Sequence, residues 1–404
     1  ATGLSNNSLG RVQTPVLAAI SRRYRERENH ISSDSWPIYI SLQKDGILFK
    51  MRRTQDLPDK ESATMFFQDC KLSHQAQITG ISHSVKEILP PDLLDLTQLQ
   101  KEANIRYGYT ASEVYDIAQS LYEKKLISYP RTSSRYLTED VFDSLPPIMA
   151  RLLSWELFPA AKGTGGIDIS NLSRHVISAE KANVHHAIII TGIRPGNLSE
   201  KEMQVYRLVA GRMLETFMAP CRIETTNVEA VCAAQHFKAE QTRIIEAGWH
   251  DVFMRSDMVP KSGYSVNELP EVEKGDNLNV CGCNMVHKKE LPVDPFTDAE
   301  LVEYMELNGL GTVSSRTNII RTLVNRKYIR YSGKYIVPTP KGMFTYETIR
   351  GKKIADTSLT ADWEKQLTGL ESGMITGQDF LNRIRTLAKE MTDDIFNTYS
   401  TKEE

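Results

Sequence analysis

The chain has 404 residues, a hydrophobic content of 40% and a formal net charge of -2, which leave room for two or three domains and exclude a wholly basic nucleic-acid binder. No stretch reaches the roughly 18 consecutive apolar residues of a membrane span, and the start of the chain lacks the basic-then-apolar layout of a signal peptide. We therefore expect a cytoplasmic protein with no membrane partner.

The cysteines are odd in number and include no C-x-x-C pair, so the sequence predicts neither a disulfide framework nor a zinc ribbon. We expect all of them to be reduced structural residues. They are Cys70, Cys221, Cys232, Cys281 and Cys283.

Two strand-like stretches lie far apart in the chain. Pro37 to Arg52 alternates between apolar and polar residues and turns at Asp45-Gly46, and Arg222 to Ala233 alternates again. Neither stretch offers a closed sheet by itself. We therefore predict one β-rich domain that is built from both segments.

A first helical unit lies between these stretches. Asp95 is placed to cap a short helix that runs to about Arg106, Gly108 interrupts it, and Thr110 and Glu113 form a capping box for a second helix. The second helix has one apolar face, at the spacing of a helix packed on one side, formed by Val114, Ile117, Ala118 and Leu121. An extended piece that ends at residue 129 follows.

A second helical unit repeats this layout. Thr297 and Glu300 form another capping box, Asn308-Gly309 supplies a left-handed stop, and 328–337 is typical of a hairpin that turns near Ser332-Gly333. The inward residues of its helices are Leu301, Val302, Met305, Ile319, Ile320 and Leu323. These elements together indicate a winged-helix unit. The alternative is a small α/β packing unit with a solvated basic face.

The segment from Thr312 to Ile336 is rich in cations, has tyrosines among them and contains no Asp or Glu. This composition favours contacts with DNA phosphates and stacking on bases. The cations are Arg316, Arg321, Arg326, Lys327, Arg330 and Lys334, and the tyrosines are Tyr328, Tyr331 and Tyr335.

Alignment of the two helical units places Tyr129 opposite Tyr331 and suggests a weak internal repeat. Each tyrosine follows the second helix of its unit. Two further pairs agree in the same register, Leu121 with Leu323 and Ile127 with Ile329.

Tyr129 is followed by Pro130, which stops helix propagation, and then by Arg131 and Arg135. A tyrosine that attacks a phosphodiester needs cations on the nonbridging oxygens, and an arginine two residues away can reach them. A phenol with a pKa of about 10 also needs activation by positive charge, a metal or a proton acceptor. From these residues alone Tyr129 is either a nucleophile or a buried core tyrosine, and Tyr331 is almost as good a candidate.

Five separated stretches, in matching order, resemble type IA DNA topoisomerases and especially the topoisomerase III branch. They are 9–15 (LGRVQTP), 95–108 leading into 116–123 (DIAQSLYE), 126–137 (LISYPRTSSRYL), 185–188 (HHAI) and 309–312 (GLGT) with Arg316. A further match is 359–364 (LTADWE). The ordered set covers almost the whole chain.

The resemblance implies a role for each matched residue. Tyr129 stands where the family's tyrosine forms a 5'-phosphotyrosyl bond and leaves a free 3'-hydroxyl, an exchange that needs no ATP. Arg131 would hold the scissile phosphate, and His185 would bind that phosphate or assist proton transfer. The substrate would be single-stranded DNA or RNA. The expected DNA-binding residues are Arg11, Gln13, Arg135, Thr312, Ser315, Arg316 and Arg321.

The implied fold is an α+β multidomain chain that forms the toroidal core of a type IA topoisomerase, with winged-helix-like (helix-turn-helix) units and a two-segment β-rich arch. Residues 1–30 and 286–404 would form the DNA-gripping base domain. Residues 31–91 and 220–285 would form the arch or hinge, and 92–219 the catalytic tyrosine domain. In a bacterium the protein would be associated with the nucleoid.

The family's N-terminal Toprim domain has no counterpart in this sequence. That domain carries a Glu and a D-x-D-x-E set that binds Mg²⁺, and no D-x-D elsewhere replaces it. We therefore expect Mg²⁺ in the complete enzyme but no metal ligands in this chain. The chain would be a fragment that is inactive alone and needs the Toprim domain in cis or in trans.

Three positions depart from the family pattern and loosen the implied geometry: Ser133 stands where an acid is common, Val184 where alanine is common and Ile190 where proline is common. Arg11 could also be a surface cation, and His185 could simply end a strand. Two alternative functions stay open. One is a noncatalytic clamp for single-stranded DNA. The other is a site-specific recombinase or a type IB topoisomerase, which would join the tyrosine to a 3' phosphate.

Overall fold

The computed structural model describes residues 9–155, 157–158, 167–182, 184–253 and 261–400. The expectation about a signal peptide concerns residues 1–8, which lie outside these ranges. The helices are α1 Gln13–Glu28, α2 Lys60–Leu72, α3 Leu96–Tyr107, α4 Ala111–Glu123, α5 Glu139–Asp143, α6 Leu145–Ser154, α7 Glu200–Phe217, α8 Asp298–Leu307, α9 Val313–Asn325, α10 Pro340–Ile349, α11 Thr357–Glu371 and α12 Gly377–Ser400. The strands are β1 Asp34–Ser35, β2 Ile38–Lys44, β3 Ile47–Arg53, β4 Gln75–Ile88, β5 Cys221–Cys232, β6 Gln235–Glu246, β7 Asn277–Met285, β8 Lys288–Lys289, β9 Ile329–Ser332 and β10 Tyr335–Pro338.

A closed antiparallel barrel is built from two separated chain segments, in the strand order β2-β3-β6-β5-β4-β7. Alternate residues along the first half of β2 are buried, as expected of a strand with one face on a core. The predicted turn at Asp45-Gly46 is confirmed. Both residues have positive φ, 52° and 80°, as a two-residue hairpin loop of type I′ requires.

We call residues 92–219 the tyrosine unit; its helices α3, α4 and α7 contribute to a large apolar cluster. Asp95 accepts a hydrogen bond from the first turn of α3, Gly108 ends this helix with φ of 70°, and Thr110 and Glu113 form the capping box of α4. These predicted boundaries are therefore confirmed. The predicted inward face of α4 is buried at Val114, Ala118 and Leu121 and partly buried at Ile117.

We call residues 9–30 and 286–400 the base unit; they include the two helices and the hairpin from which the sequence predicts a winged helix. The second capping box, Thr297 with Glu300, begins α8, and the hairpin of β9 and β10 turns at Gly333-Lys334. Helix α1 packs with α8, α9 and the hairpin around a second apolar cluster, and α10 packs on α1. The hairpin turn lies one residue beyond its predicted place.

The barrel is connected to each helical unit by two chain segments. On the side of the base unit, β1 pairs with β8 and the Trp36 ring stacks on the His287 ring at 4.3 Å. On the side of the tyrosine unit, the indole nitrogen of Trp249 donates to the carbonyl of Ile88 at 2.9 Å. The barrel therefore links two helical units that also contact each other directly.

All five thiols are free, as predicted; Cys70, Cys221 and Cys232 are buried, as structural residues would be, whereas Cys281 is exposed.

Candidate active site around Tyr129

Tyr129 follows a short buried edge of the tyrosine unit. Residues 126–128 pair antiparallel with 189–191, and the amide of Ser128 donates to the carbonyl of Ile189 at 2.8 Å. The proline that follows Tyr129 has no amide with which to continue this pairing. The Tyr129 side chain therefore lies where the pairing ends, and it is half-buried.

Two aromatic side chains contact Tyr129. Its ring lies 4.5 Å from the His185 ring and 5.4 Å from the Tyr122 ring, measured between centroids, and Tyr122 meets it edge-on. His185 is exposed, and its backbone carbonyl accepts a hydrogen bond from the hydroxyl of Thr132 at 3.1 Å. The predicted histidine, His185, thus contacts the predicted nucleophile, Tyr129.

Arg131 folds back onto helix α4. Its guanidinium donates to the amide oxygen of Gln119 at 3.3 Å and lies 5.0 Å over the ring of Tyr115. Within the described residues it forms no ion pair, and its buried Nε atom has no hydrogen-bond partner. Its charge is therefore not neutralised by a carboxylate of this part of the chain.

Three side chains on one face of α4 support this site and were missed by the sequence reasoning. Tyr115, Gln119 and Tyr122 follow the i, i+4, i+7 spacing of neighbours on a helix surface. Tyr115 and Gln119 hold Arg131, and Tyr122 holds Tyr129. The spacing is present in the sequence, next to the stronger periodic signal of the apolar face of the same helix.

Arg135 forms an ion pair with Asp95, with 2.7 Å between Nε and a carboxylate oxygen. Asp95 is buried and also caps α3. Burial lowers the pKa of Arg135 and the Asp95 carboxylate raises it, with a net rise. The arginine has a structural partner here, and a DNA contact by Arg135 remains a prediction.

Arg316 and Arg321 lie between the two helical units. Arg316 is 7% exposed and donates to the hydroxyl of Thr97 at 3.0 Å, and burial lowers its pKa. Arg321 forms an ion pair with Asp116 at 2.8 Å. The sequence suggested arginines on a DNA-facing surface, whereas both residues bridge α9 to the tyrosine unit, so their contacts with DNA remain predictions.

Thr312 and Ser315 form the start of α9. The amide of Thr312 donates to the Ser315 hydroxyl at 2.8 Å, and the Ser315 amide donates to the Thr312 carbonyl at 2.9 Å. Thr312 is exposed and Ser315 is half-buried, at a helix N-terminus, where backbone amides favour anions. Their role in binding DNA also remains a prediction.

Arg11 and Gln13 lie at the start of α1. The Arg11 guanidinium lies 5.5 Å over the ring of Trp363, and its carbonyl accepts from the hydroxyl of Thr360 at 2.7 Å. Gln13 accepts a hydrogen bond from Arg326 at 3.2 Å. Two family-like segments from opposite ends of the chain, 9–15 and 359–364, thus meet in space.

Tyr331, the repeat counterpart of Tyr129, has a different environment. Its hydroxyl donates to a carboxylate oxygen of Asp298 at 3.1 Å. Burial, followed by the negative charge of Asp298, raises the pKa of Tyr331. Both effects oppose formation of a phenolate, so Tyr331 is a poor nucleophile in this fold.

The part of the chain that the structure describes contains no group of three or more His, Cys, Asp or Glu side chains placed to hold a metal ion. Among the same residues, no helix is long and apolar enough to cross a membrane.

Known proteins share this sequence pattern. Residues 2–382 match the model of the DNA topoisomerase family. DNA topoisomerase 3 of Bacillus licheniformis is 30% identical over 413 residues, which cover 96% of this chain and 56% of that protein. DNA topoisomerase 1 of Methanocaldococcus jannaschii is 30% identical over 399 residues, which cover 98% of this chain and 50% of that protein. The chain thus spans about half the length of the curated relatives it matches.

The fold is similar to that of full-length topoisomerase I from Thermotoga maritima, with a TM-score of 0.72 and 23% sequence identity over 95% of this chain and 62% of that chain. This likeness confirms the predicted α+β core. Because the family model matches nearly the whole sequence, the chain belongs to the type IA DNA topoisomerase family.

Proposed function

We propose that this chain supplies the nucleophile and the strand-binding surface of a type IA topoisomerase. Tyr129 attacks a phosphodiester of single-stranded DNA, forms a 5'-phosphotyrosyl bond and releases a 3'-hydroxyl. The observation that supports this most is the contact of Tyr129 with His185, next to Arg131, whose charge has no carboxylate partner among the described residues.

The proposed step exchanges one phosphoester for another. As the phenol oxygen of Tyr129 bonds to phosphorus, the bond from phosphorus to the 3' oxygen breaks, so no ATP is consumed. The phenol proton leaves to an acceptor, and the departing 3' oxygen gains a proton. His185 contacts the phenol ring and is the imidazole we assign to the first transfer, while Arg131 stabilises charge on the phosphate. Religation reverses these steps.

Strand passage is the second part of the proposal. While Tyr129 holds the 5' end covalently, the tyrosine unit separates from the base unit and a second strand passes between them. The barrel joins the two units through a pair of chain segments on each side, an arrangement that suits a hinge.

The described residues around Tyr129 do not fit a magnesium ion. Mg²⁺ takes oxygen ligands, and the side chains that contact Tyr129 are aromatic, with no carboxylate among them. We propose that the carboxylates for Mg²⁺ belong to a Toprim domain, in the same or in a separate polypeptide. The residues of this chain position the nucleophile and the strand.

The partner is a single strand of nucleic acid, DNA in the first place and RNA as a further substrate. The cation-rich segment 312–336 and the residues Arg11 and Gln13 are the surface that we assign to its backbone. We place the protein in the cytoplasm, on the nucleoid if the source is a bacterium.

The test is a search for a covalent adduct on a denaturing gel. The chain is incubated with Mg²⁺ and a single-stranded oligonucleotide labelled at one end or the other, with and without an added Toprim domain. We expect an adduct that retains the 5' phosphate and that depends on the added domain. Tyr129→Phe is the matched control and should bind the strand without forming an adduct.

Other outcomes would replace the proposal. Tight binding with no adduct under either condition would support a noncatalytic clamp. An adduct on the 3' phosphate would indicate the chemistry of a type IB enzyme or a tyrosine recombinase.

A further inference from the structure

The two helical units have separate apolar cores. The cluster of the tyrosine unit is formed by residues 88–253, with Val313 of the base unit packed at its edge. The cluster of the base unit includes Ala111 of the tyrosine unit. Ala111 and Val313 are the first residues of α4 and α9, so the units meet reciprocally through two helix N-termini.

Polar contacts, from buried to partly exposed, also join the two units. Gln100 donates to the hydroxyl of Thr317 at 2.9 Å, and Lys101 forms an ion pair with Glu303 at 2.6 Å. The amide of Ala299 donates to the side-chain oxygen of Asn104 at 3.3 Å. Separation of such faces exchanges these hydrogen bonds for bonds with water, whereas parting of an apolar core exposes hydrophobic surface.

Asp298 is a buried acidic residue that accepts hydrogen bonds from both units. It is the first residue of α8 and is 2% exposed. One of its carboxylate oxygens accepts from the backbone amide of Ala111 at 3.0 Å and from the hydroxyl of Tyr331 at 3.1 Å. The Ala111 amide is one of the first donors of α4, which have no partner within their own helix. The base unit therefore satisfies a donor of the tyrosine unit.

The contact lies on the helix that supports the nucleophile. Ala111 begins α4, and the same helix carries Tyr115, Gln119 and Tyr122, which hold Arg131 and Tyr129. A helix moves as a rigid element. The contact at the N-terminus of α4 therefore helps to set the position of these three side chains relative to the base unit.

We propose that Asp298 is a latch: its carboxylate docks the N-terminus of α4 onto the base unit, positions the Tyr129 site against the strand-binding surface and limits how readily the two units separate. Its consequence for strand passage rests on the proposed function. The latch itself is a property of the chain alone and can be measured without DNA.

Hydrogen exchange of backbone amides, read by mass spectrometry on the full chain, tests the latch. Asp298→Ala removes the acceptor, and we expect exchange in the peptide that contains residues 109–113 to become at least about tenfold faster. Asp298→Asn keeps an acceptor oxygen and should return the rate to within about threefold of wild type. Exchange in the barrel should not change.

Asp59→Ala is the matched control. Asp59 also accepts from an amide in the first turn of a helix, that of Ser62 in α2, but it lies beside the barrel. We expect its loss to accelerate exchange around residue 62 and to leave 109–113 at the wild-type rate.

Two results would overturn the latch. One is an Asp298→Ala protein that exchanges at 109–113 as slowly as wild type. The other is equal acceleration throughout the tyrosine unit, which would make Asp298 a general support of the fold. Failure of the wild-type chain to form an adduct with a Toprim domain would remove the proposed function and leave the exchange result unaffected.

Discussion

The tyrosine unit and the base unit contain the same helical layout. Helices α4 and α9 have 13 residues each, and each is followed by a lysine, Lys125 or Lys327, with φ of 59°. In both units the next amide donates back to the helix at 2.9 Å, from Leu126 to the carbonyl of Leu121 and from Tyr328 to the carbonyl of Leu323. The internal repeat suggested by the sequence thus extends to the way the helices end.

The two tyrosines that follow these helices differ in their surroundings. Tyr129 is half-buried against His185, whereas Tyr331 donates its hydroxyl to the buried carboxylate of Asp298. The repeat places a tyrosine at the same point of each unit, and the neighbouring side chains determine what that tyrosine can do. The predictions below test this contrast, from the largest expected effect to the smallest.

Replacement of each tyrosine by phenylalanine should show the largest difference between the two units. Tyr129→Phe removes the nucleophilic oxygen, so we expect no covalent adduct and unchanged binding of single-stranded DNA. Tyr331→Phe removes one hydrogen bond, which typically contributes about 1 kcal/mol, and should leave the adduct yield near that of wild type. Gel assays in the presence of a Toprim domain give both readouts. An adduct formed by Tyr129→Phe would contradict the assignment.

Arg131→Ala should lower the rate of adduct formation by about 100-fold or more, because a positioned cation on the phosphate is lost. Binding of the strand should change by less than about threefold. Arg243→Ala is the control, since Arg243 is an exposed barrel residue paired with Glu224. Equal losses of cleavage and binding would make Arg131 a residue that only grips the strand.

Binding of single-stranded DNA should weaken by about tenfold or more between low and physiological salt, because phosphate neutralisation releases counterions. Arg330 and Lys334 of the base unit are exposed, so their contribution to the salt dependence can be measured by substitution. Replacement of both by alanine should make the salt dependence shallower, while the adduct chemistry at Tyr129 is kept. Affinity that is flat with salt would remove the basis for a phosphate-gripping surface.

Tyr122→Leu should slow adduct formation by roughly threefold to tenfold, which corresponds to the loss of one edge-to-face aromatic pair. Tyr122→Phe keeps the ring and should retain the wild-type rate. Single-turnover cleavage rates provide the comparison. If the leucine variant is as fast as the phenylalanine variant, the aromatic support of Tyr129 is unimportant.

The contact between the units should also depend weakly on pH. Burial raises the pKa of Asp298 to about 6, against the effects of the Ala111 amide and the Tyr331 hydroxyl, and Glu113 faces it from α4. When the two units separate (the open state), the Asp298 carboxyl is exposed and takes a pKa of about 4. The state with the units in contact (the closed state) therefore binds the proton of this carboxyl more tightly. Closure is then strongest below about pH 4 and weakens as the pH rises through about 6.

Fluorescence energy transfer between labels on the two units can follow this change. Wild type should open slightly as the pH rises over that range, and Asp298→Asn should show no such step. A contact that tightens with rising pH would reverse the sign and contradict the account of Asp298.

Local signals in the sequence predicted much of the fold. The capping boxes at Thr110 and Thr297 and the Asp45-Gly46 turn were readable because each depends on residues only a few positions apart. Closure of the barrel by β4 and β7 joins distant segments and leaves no such signal. The β5–β6 turn is formed by Ala233-Ala234 in left-handed conformations, which the sequence does not suggest.

The candidate site was predictable only in part, for the same reason. Family-like motifs indicated Tyr129 and His185, and the structure places their rings in contact. The packing of Arg131 on α4 and the burial of Arg316 between the units depend on tertiary contacts across the chain. A run of cations in a sequence therefore does not tell which of them face solvent.

The most direct test of the central claim is to identify the residue that carries the nucleotide after the adduct has been digested with nuclease and protease and read by mass spectrometry. The account predicts a phosphonucleotide on the peptide that contains Tyr129, joined through the 5' phosphate, and none on the peptide that contains Tyr331. A nucleotide on Tyr331, or a linkage through a 3' phosphate, would contradict it.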